Sequence, residues 1–374
     1  MSKAAALLVE THCTLAAVEA LEAEWRTLDG ASPDATGFQS FEWCVAWLRC
    51  SGIEPRVVTV RDEGRLAMLW PLQIERCWGA RIARWIGEPL TQYGDALAAP
   101  GADVMRCAAA VETSVASWRD ADLVALSRLR ADGALAALAH SAAGEEMRAP
   151  FVDLAAPPAP RRKSLERRAR KLEAFGPVAL EEADSPAGRE AAALRALAMK
   201  QAWLDAHGFV STGLSAATTP AFVAAAARAG VLRVHCLRVG GEIAAAEMGL
   251  AAGGGYRSLL GAFDPRFSEG APGHALTRAM LAKCAREGMR TYDFLPPGDD
   301  YKEVFATGAV SVGARYWPLT LRGRIAAFGF ERLRPVAKRL YYALAARGLF
   351  TRGRQPERKA SAAPGRASHP LLGS

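Results

Sequence analysis

The chain has 374 residues, 51% of them hydrophobic and 23% charged, with a net charge of +8. That length exceeds one typical domain, fits two of about 150–200 residues, and the composition supplies a sizeable core. The seven cysteines are odd in number and none has CxxC spacing, which argues against zinc or a disulfide framework and for a reducing compartment.

Apolar spacing predicts a helix over 15–28 and a second over 41–50, with Phe38, Trp43 and Trp47 available for packing. Strands follow at 56–60 and 66–73 around the turn Asp62-Glu63-Gly64, and a third at 81–86. A helix near 104–117, a buried strand at 123–127 and a helix near 135–139 complete a first half, residues 1–155. The segment Ala155-Ala156-Pro157-Pro158-Ala159-Pro160 reads as a linker. The basic run 161–171, with seven Arg or Lys and one Glu, reads as a helix stopped by Gly176.

The second half, residues 161–321, has a strand at 177–182 and helices at 191–206 and 220–229, closed by Gly208 and Gly230. Strands at 232–239, 242–250 and 256–263 are joined by the glycine turns Gly240-Gly241 and Gly253-Gly254-Gly255. After a loop at 266–272, Leu276, Met280 and Cys284 recur every four residues and predict a helix over 273–287. A strand at 289–295, the break Pro296-Pro297-Gly298, a short helix near 300–306 and a strand at 314–321 follow. Residues 322–350 mix large apolar residues with many Arg and Lys, predicting a basic amphipathic helix packed on the domain or lying on a membrane. Residues 351–374, rich in Pro, Gly, Ser and Arg, read as a disordered tail. The first half repeats the order of the second in shortened form. The predicted fold class is therefore α/β (α+β mixed sheet), as two tandem domains, each a mixed central sheet flanked by helices.

Several stretches carry a family resemblance across most of residues 38–305: Phe38-Gln39-Ser40-Phe41-Glu42-Trp43 with Trp47, Pro71-Leu72, and the basic helix ending at Gly176. The most specific group is Ala271-Pro272-Gly273, Gly288, Tyr292-Asp293-Phe294-Leu295, Gly298 and Tyr301-Lys302. With these residues the chain resembles the GNAT superfamily acyltransferases, and more narrowly the CelD-type branch linked to cellulose or exopolysaccharide biosynthesis. It is distantly similar to Fem-type aminoacyltransferases with the same tandem layout. The resemblance implies tandem GNAT-like domains in which two parallel strands splay apart around the pantetheine arm of an acyl donor. That donor is acetyl-CoA or another acyl-CoA, or an aminoacyl-tRNA as in the Fem-type enzymes.

A helix N-terminus offers unpaired N–H groups and a positive dipole end to a donor's phosphates. Ser268, Gly270, Ala271, Gly273 and His274 surround such a start, and Pro272 preorganises its first turn. Arg266 and Gly270 stand one residue too far apart for the usual superfamily loop, and Glu269 adds negative charge, so a plain proline–glycine helix start remains the alternative. In the first half Asp103 sits at the equivalent helix start, where it would repel a phosphate. That half is expected to shape the acceptor pocket or to be structural.

Acyl transfer to an amine or hydroxyl uses a base, an oxyanion donor and an acid. Glu247, inside an apolar strand, is the first base candidate if it is buried rather than turned to solvent. Asp293 is a second, or it orients Lys302. Tyr301 is a candidate acid, and Lys302 a candidate ligand for a phosphate or acyl oxygen. Alternatively Asp293, Tyr301 and Lys302 form a structural clasp. Lys200 and Trp203 share a helix face, with Trp203 read as packing. No Ser–His–Asp or Cys–His arrangement stands out, so direct transfer is expected.

The expected activity is acyl transfer, acetyl above all, from an acyl-thioester to a small-molecule or sugar acceptor, without a metal. The rival is a non-catalytic GNAT module that binds an acyl-carrier protein or a synthase partner. The basic run fits an acidic carrier, tRNA or anionic lipid headgroups, or is a solvated face with Glu166 pairing Arg170. Residues 1–10 lack a charged start with a long apolar run, and no window approaches the roughly 18 apolar residues of a membrane span. The expected location is cytoplasmic, at an anionic inner-membrane surface if the 322–350 helix docks there.

Overall fold

The computed structural model describes residues 6–141, 147–156, 163–334, 336–337 and 340. Residues 157–162 of the linker and basic run, the Glu166–Arg170 pairing and the 351–374 tail lie outside what is described. The strands are β1 (Leu8–His12), β2 (Glu54–Asp62), β3 (Arg65–Cys77), β4 (Ala80–Trp85), β5 (Leu97–Ala98), β6 (Leu123–Arg130) and β7 (Met147–Asp153). They continue as β8 (Val178–Glu182), β9 (Arg233–Val239), β10 (Glu242–Ala252), β11 (Gly255–Phe263), β12 (Thr291–Asp293) and β13 (Gly308–Pro318). The first helices are α1 (Leu15–Glu19), α2 (Glu22–Ala31), α3 (Phe41–Ser51), α4 (Val104–Ala116) and α5 (Lys163–Glu173). Then come α6 (Pro186–His207), α7 (Thr219–Arg228), α8 (Pro272–Arg286), α9 (Asp300–Glu303) and α10 (Leu321–Phe328).

The expected mixed α/β class is what the structure shows, but its strands form one sheet in the order β1-β2-β3-β4-β6-β13-β7-β12-β11-β10-β9-β8, with β5 on β3. Each half has an antiparallel meander followed by one parallel neighbour, β4 with β6 and β11 with β12. At the centre the halves exchange strands. β13, late in the chain, pairs antiparallel with β6 and β7, while β7, from the first half, pairs antiparallel with β12 and β13. The two strands thereby join the halves in one continuous sheet.

Local signals set the helix limits. Ser40 caps α3 by accepting from Trp43 N, and Gly52 ends it in the left-handed region at φ 64°. Ser185 and Pro186 start α6, and Gly208 stops it. The apolar face of α3 meets α7 of the other half, where Phe222 lies edge-on to Trp43 (4.7 Å) and Trp47 (5.1 Å). Edge-to-face pairs of this kind add about 0.5–1.5 kcal/mol each beyond area burial. The halves therefore share a core as well as a sheet.

Several boundaries differ from the sequence-based expectation. The helix expected over 15–28 is two, α1 and α2, and the one near 135–139 is a 3-10 turn, Ala136–Ser141. Strands β1 and β7 were not anticipated. β7 holds Arg148 and Pro150 and is stabilised by distant partners. The last strand begins earlier than expected, at Gly308. The strand expected over 289–295 contracts to Thr291–Asp293: Phe294 N still donates to Pro150 O of β7 (2.9 Å), but the proline has no N–H to extend the ladder. Among the described residues, no helix is long and apolar enough to cross a membrane.

Candidate active-site cleft

The contraction of β12 opens the cleft. β11 and β12 pair from Gly255↔Thr291 to Arg257↔Asp293, and then separate. β11 runs on to Phe263, whereas Asp293 Oδ1 accepts from Leu295 N (2.8 Å) and Leu295 takes φ 61°, bending the chain out of the sheet. The gap is a cavity of about 720 Å³, within the usual range for small-molecule sites. Glu247, Ser258 and Tyr292 line its floor, the start of α8 one end, and Lys200 with the Pro89–Leu90 loop another wall.

Glu247 is only 3% exposed, so the solvent-facing alternative does not hold. It sits in β10 just before a register shift at Met248/Gly249. Tyr292 Oη donates to both carboxylate oxygens (2.8 and 2.7 Å). A Cβ on Gly249 would lie 2.5 Å from the Tyr256 ring, so only glycine lets that ring cross the strand and stack on Tyr292 (5.4 Å). Burial raises the Glu247 pKa to about 7, against the opposing pull of the Tyr292, Ser258 and Tyr256 hydroxyls. A carboxyl poised near neutrality inside a cleft suits proton abstraction.

At the other end α8 starts from Ala271, in the left-handed region at φ 49°, with no side-chain cap from the described residues. Ser268, Ala271, Gly273 and His274 line the cavity. Gly270 does not. A Cβ there would meet Leu172 at 2.8 Å, so this glycine seats α5 against the loop. Arg266 is engaged by Asp264 (2.9 Å) and Glu242 (2.7 Å), and Glu269 by Lys171 (3.2 Å). The negative charge that sequence reasoning set against a phosphate is thus partnered. His274 packs edge-on to Tyr301 at 4.8 Å.

The trio Asp293, Tyr301 and Lys302 is divided by the structure. Tyr301 Oη donates to Gly273 O (3.1 Å) and bonds Thr277 Oγ1, and burial raises its pKa. Lys302 Nζ donates to Leu295 O (2.9 Å) and Pro297 O (2.6 Å), holding the bend that opens the cleft, and burial lowers its pKa to about 8. Both line the cavity. Asp293 points away, accepting from Tyr93 Oη (2.8 Å to each oxygen) and Arg130 (3.0 Å) of the first half. Its place is a clasp between the halves.

Sequence reasoning missed part of the site. Lys200 lines the cavity with its Nζ 4.6 Å from the Trp203 ring centre, and burial lowers its pKa. Trp203, read as packing, lines the same wall. Their spacing on one helix face was the available signal. Ser258 gave none, and Tyr292 and Arg168 stood in the resemblance and the basic run without a place in the site, because only the fold brings them together.

The corresponding gap in the first half is closed. Trp85 Nε1 donates to Ser127 O (2.9 Å), Gly94 bridges Leu129, and the buried Arg128 guanidinium donates to Pro89 O (3.0 Å) and Thr91 O (2.5 Å). Asp103 caps α4 by accepting from Arg106 N (3.0 Å). What this half gives the cavity is the wall of Pro89, Leu90 and Gln92.

Comparisons with known proteins bear on the domain and the fold. Residues 159–303 match the family model described as an acetyltransferase (GNAT) domain. No curated protein matches the chain. Among solved structures, FemX superposes with a TM-score of 0.55 at 12% identity, covering 82% of this chain and 96% of that one. A C-terminal domain named for lysylphosphatidylglycerol synthetase, from Agrobacterium fabrum, gives 0.52 at 13% identity, covering 84% and 95%. L-PGS from Bacillus licheniformis gives 0.52 at 13%, covering 84% and 96%. Residues 159–303 thus match an acetyltransferase (GNAT) domain, and the chain as a whole shares its fold with these three structures.

Proposed function

We propose that this protein transfers an acyl group from an acyl-thioester, acetyl-CoA or another acyl-CoA, to an amine or hydroxyl, with Glu247 as general base. The observation that carries this reading is a buried carboxyl with a pKa near 7 opening on the cleft between β11 and β12. The pantetheine arm lies in the gap, and the first-turn N–H groups of α8 near Gly273 receive the donor's phosphates. Glu247 takes the acceptor's proton as its nitrogen or oxygen attacks the thioester carbonyl. The C–N or C–O bond forms and the C–S bond breaks. Backbone N–H groups on the open edge of β11 stabilise the oxyanion, and Tyr301 protonates the leaving thiolate. The CelD-type resemblance favours a sugar acceptor in polysaccharide assembly.

The test is thiol release from acyl-CoA with amine and sugar acceptors. Glu247→Gln should lower kcat by about 10²–10⁴-fold while donor binding persists. Unchanged turnover in that variant would overturn the assignment. A second reading, transfer from aminoacyl-tRNA, is favoured by Arg168 of the basic α5 at the cavity rim and by likeness to structures named for FemX and lysylphosphatidylglycerol synthetase. It predicts release of tRNA from an aminoacyl-tRNA and none of coenzyme A.

A further inference from the structure

α10 and the π turn after it, Gly329–Leu333, bury Gly323, Ala326, Ala327 and Phe330 and expose Leu321, Ile325, Phe328 and Leu333. Thr320 caps α10 by accepting from Gly323 N (3.1 Å) and donates to Asp122 Oδ1 (2.6 Å), which fixes its start. Gly323 is pressed so close to Asp122 that a Cβ would collide with the Asp122 carbonyl. Ala326, Ala327 and Phe330 pack on Ala80, Ile82, Leu123 and Ala125. Leu321 (72%), Ile325 (68%) and Phe328 (56%) face outward, followed by Leu333, Val336 and Leu340. Beside them Trp78 is 67% exposed, held by stacking on Phe330 at 5.1 Å. A helix with solvent as its only outer neighbour carries the opposite pattern, so this face is shaped for a partner.

Charge identifies the partner. Arg322, Arg324, Arg332 and Arg334 are all exposed around the apolar stripe. Over residues 321–340 the sequence adds Lys338 and Arg339, against Glu331 alone. A twofold-related second copy would bring these same arginines together. Residues 341–374 hold Arg347, Arg352, Arg354, Arg358, Lys359 and Arg366 against Glu357, so the chain's own tail is repelled as well. Leu, Ile, Phe and Trp on one side with Arg around them match a helix lying in the plane of an anionic bilayer.

We propose that the outer face of α10 with Trp78 docks on anionic lipid, apolar side chains among the acyl chains and arginines at the phosphates. This goes beyond acyl transfer and stands independently of it. The test is cosedimentation of the full chain with phosphatidylcholine vesicles, with and without phosphatidylglycerol. Binding should be more than about tenfold stronger with the anionic lipid and weaken with salt. Ile325→Asp with Phe328→Asp should weaken it by more than about tenfold while circular dichroism stays unchanged. Brominated lipid should quench tryptophan fluorescence in the parent and less in Trp78→Phe, which keeps the stack on Phe330. Equal binding to both vesicles, or full binding by the double variant, overturns the proposal. So does a dimer that the double variant dissociates without any lipid binding in the parent.

Discussion

The chemistry centres on one side chain, and its environment makes testable demands. The folded pKa of Glu247, about 7, lies above its ordinary 4.5, so the folded chain holds a proton there that the unfolded chain releases. Stability therefore falls as pH rises through that window, and by about 3 kcal/mol in all. Glu247→Gln removes this loss. Thermal melts should show the variant gaining on the parent above pH 7 and not near pH 4.5. Activity has the opposite dependence, since the base works ionised: kcat should climb as pH rises through about 7. A flat profile there would remove Glu247 from the chemistry. Glu247 was legible in the sequence because a carboxylate inside an apolar strand is conspicuous. Its tyrosine partner was not, because Tyr292 reaches it from a strand two positions away in the sheet.

At the scale of elements, α8 and the 293–302 bend face each other across the cleft. The stripe Leu276, Met280 and Cys284 announced α8, and its bounds agree with the expectation to within a residue. The bend was not legible, because β12 ends where its neighbour β7 presents Pro150, far away in sequence and without an N–H to donate. Proline and glycine near 296–298 marked a break without showing that Lys302 holds it. Replacing Lys302 by Met deprives two carbonyls of their donor. The expected result is a loosened cleft wall, read as a several-fold rise in donor KM with a smaller change in kcat. A purely catalytic role would lower kcat at constant KM. Gly270, grouped at first with the phosphate-facing residues, shows how a glycine can mark tight packing instead of ligand approach.

At the scale of the molecule, the reciprocal exchange of β7 and β13 and the Asp293 clasp join the halves into one body. Two tandem units were readable from the repeated order of elements. The exchange was not, because β7 carries Pro150 and Arg148 and owes its strand conformation to its neighbours. Asp293→Ala removes the acceptor of Tyr93 and one partner of Arg130, which keeps Asp132 (2.8 Å), so the expected cost is about 1–3 kcal/mol. Denaturant unfolding should remain a single transition at a lower midpoint. Two separated transitions in the parent would show that the halves fold apart. Whether the cleft holds an acyl donor is most directly read by calorimetric titration of the full chain with acetyl-CoA and a longer acyl-CoA, beside Gly273→Glu. A Cβ on Gly273 meets nothing closer than 3.9 Å, so the variant adds charge at the helix start without a clash at its Cβ. Acyl transfer at this cleft predicts saturable binding by the parent that Gly273→Glu abolishes. A folded parent that binds neither donor, or a variant that binds as the parent does, would contradict it.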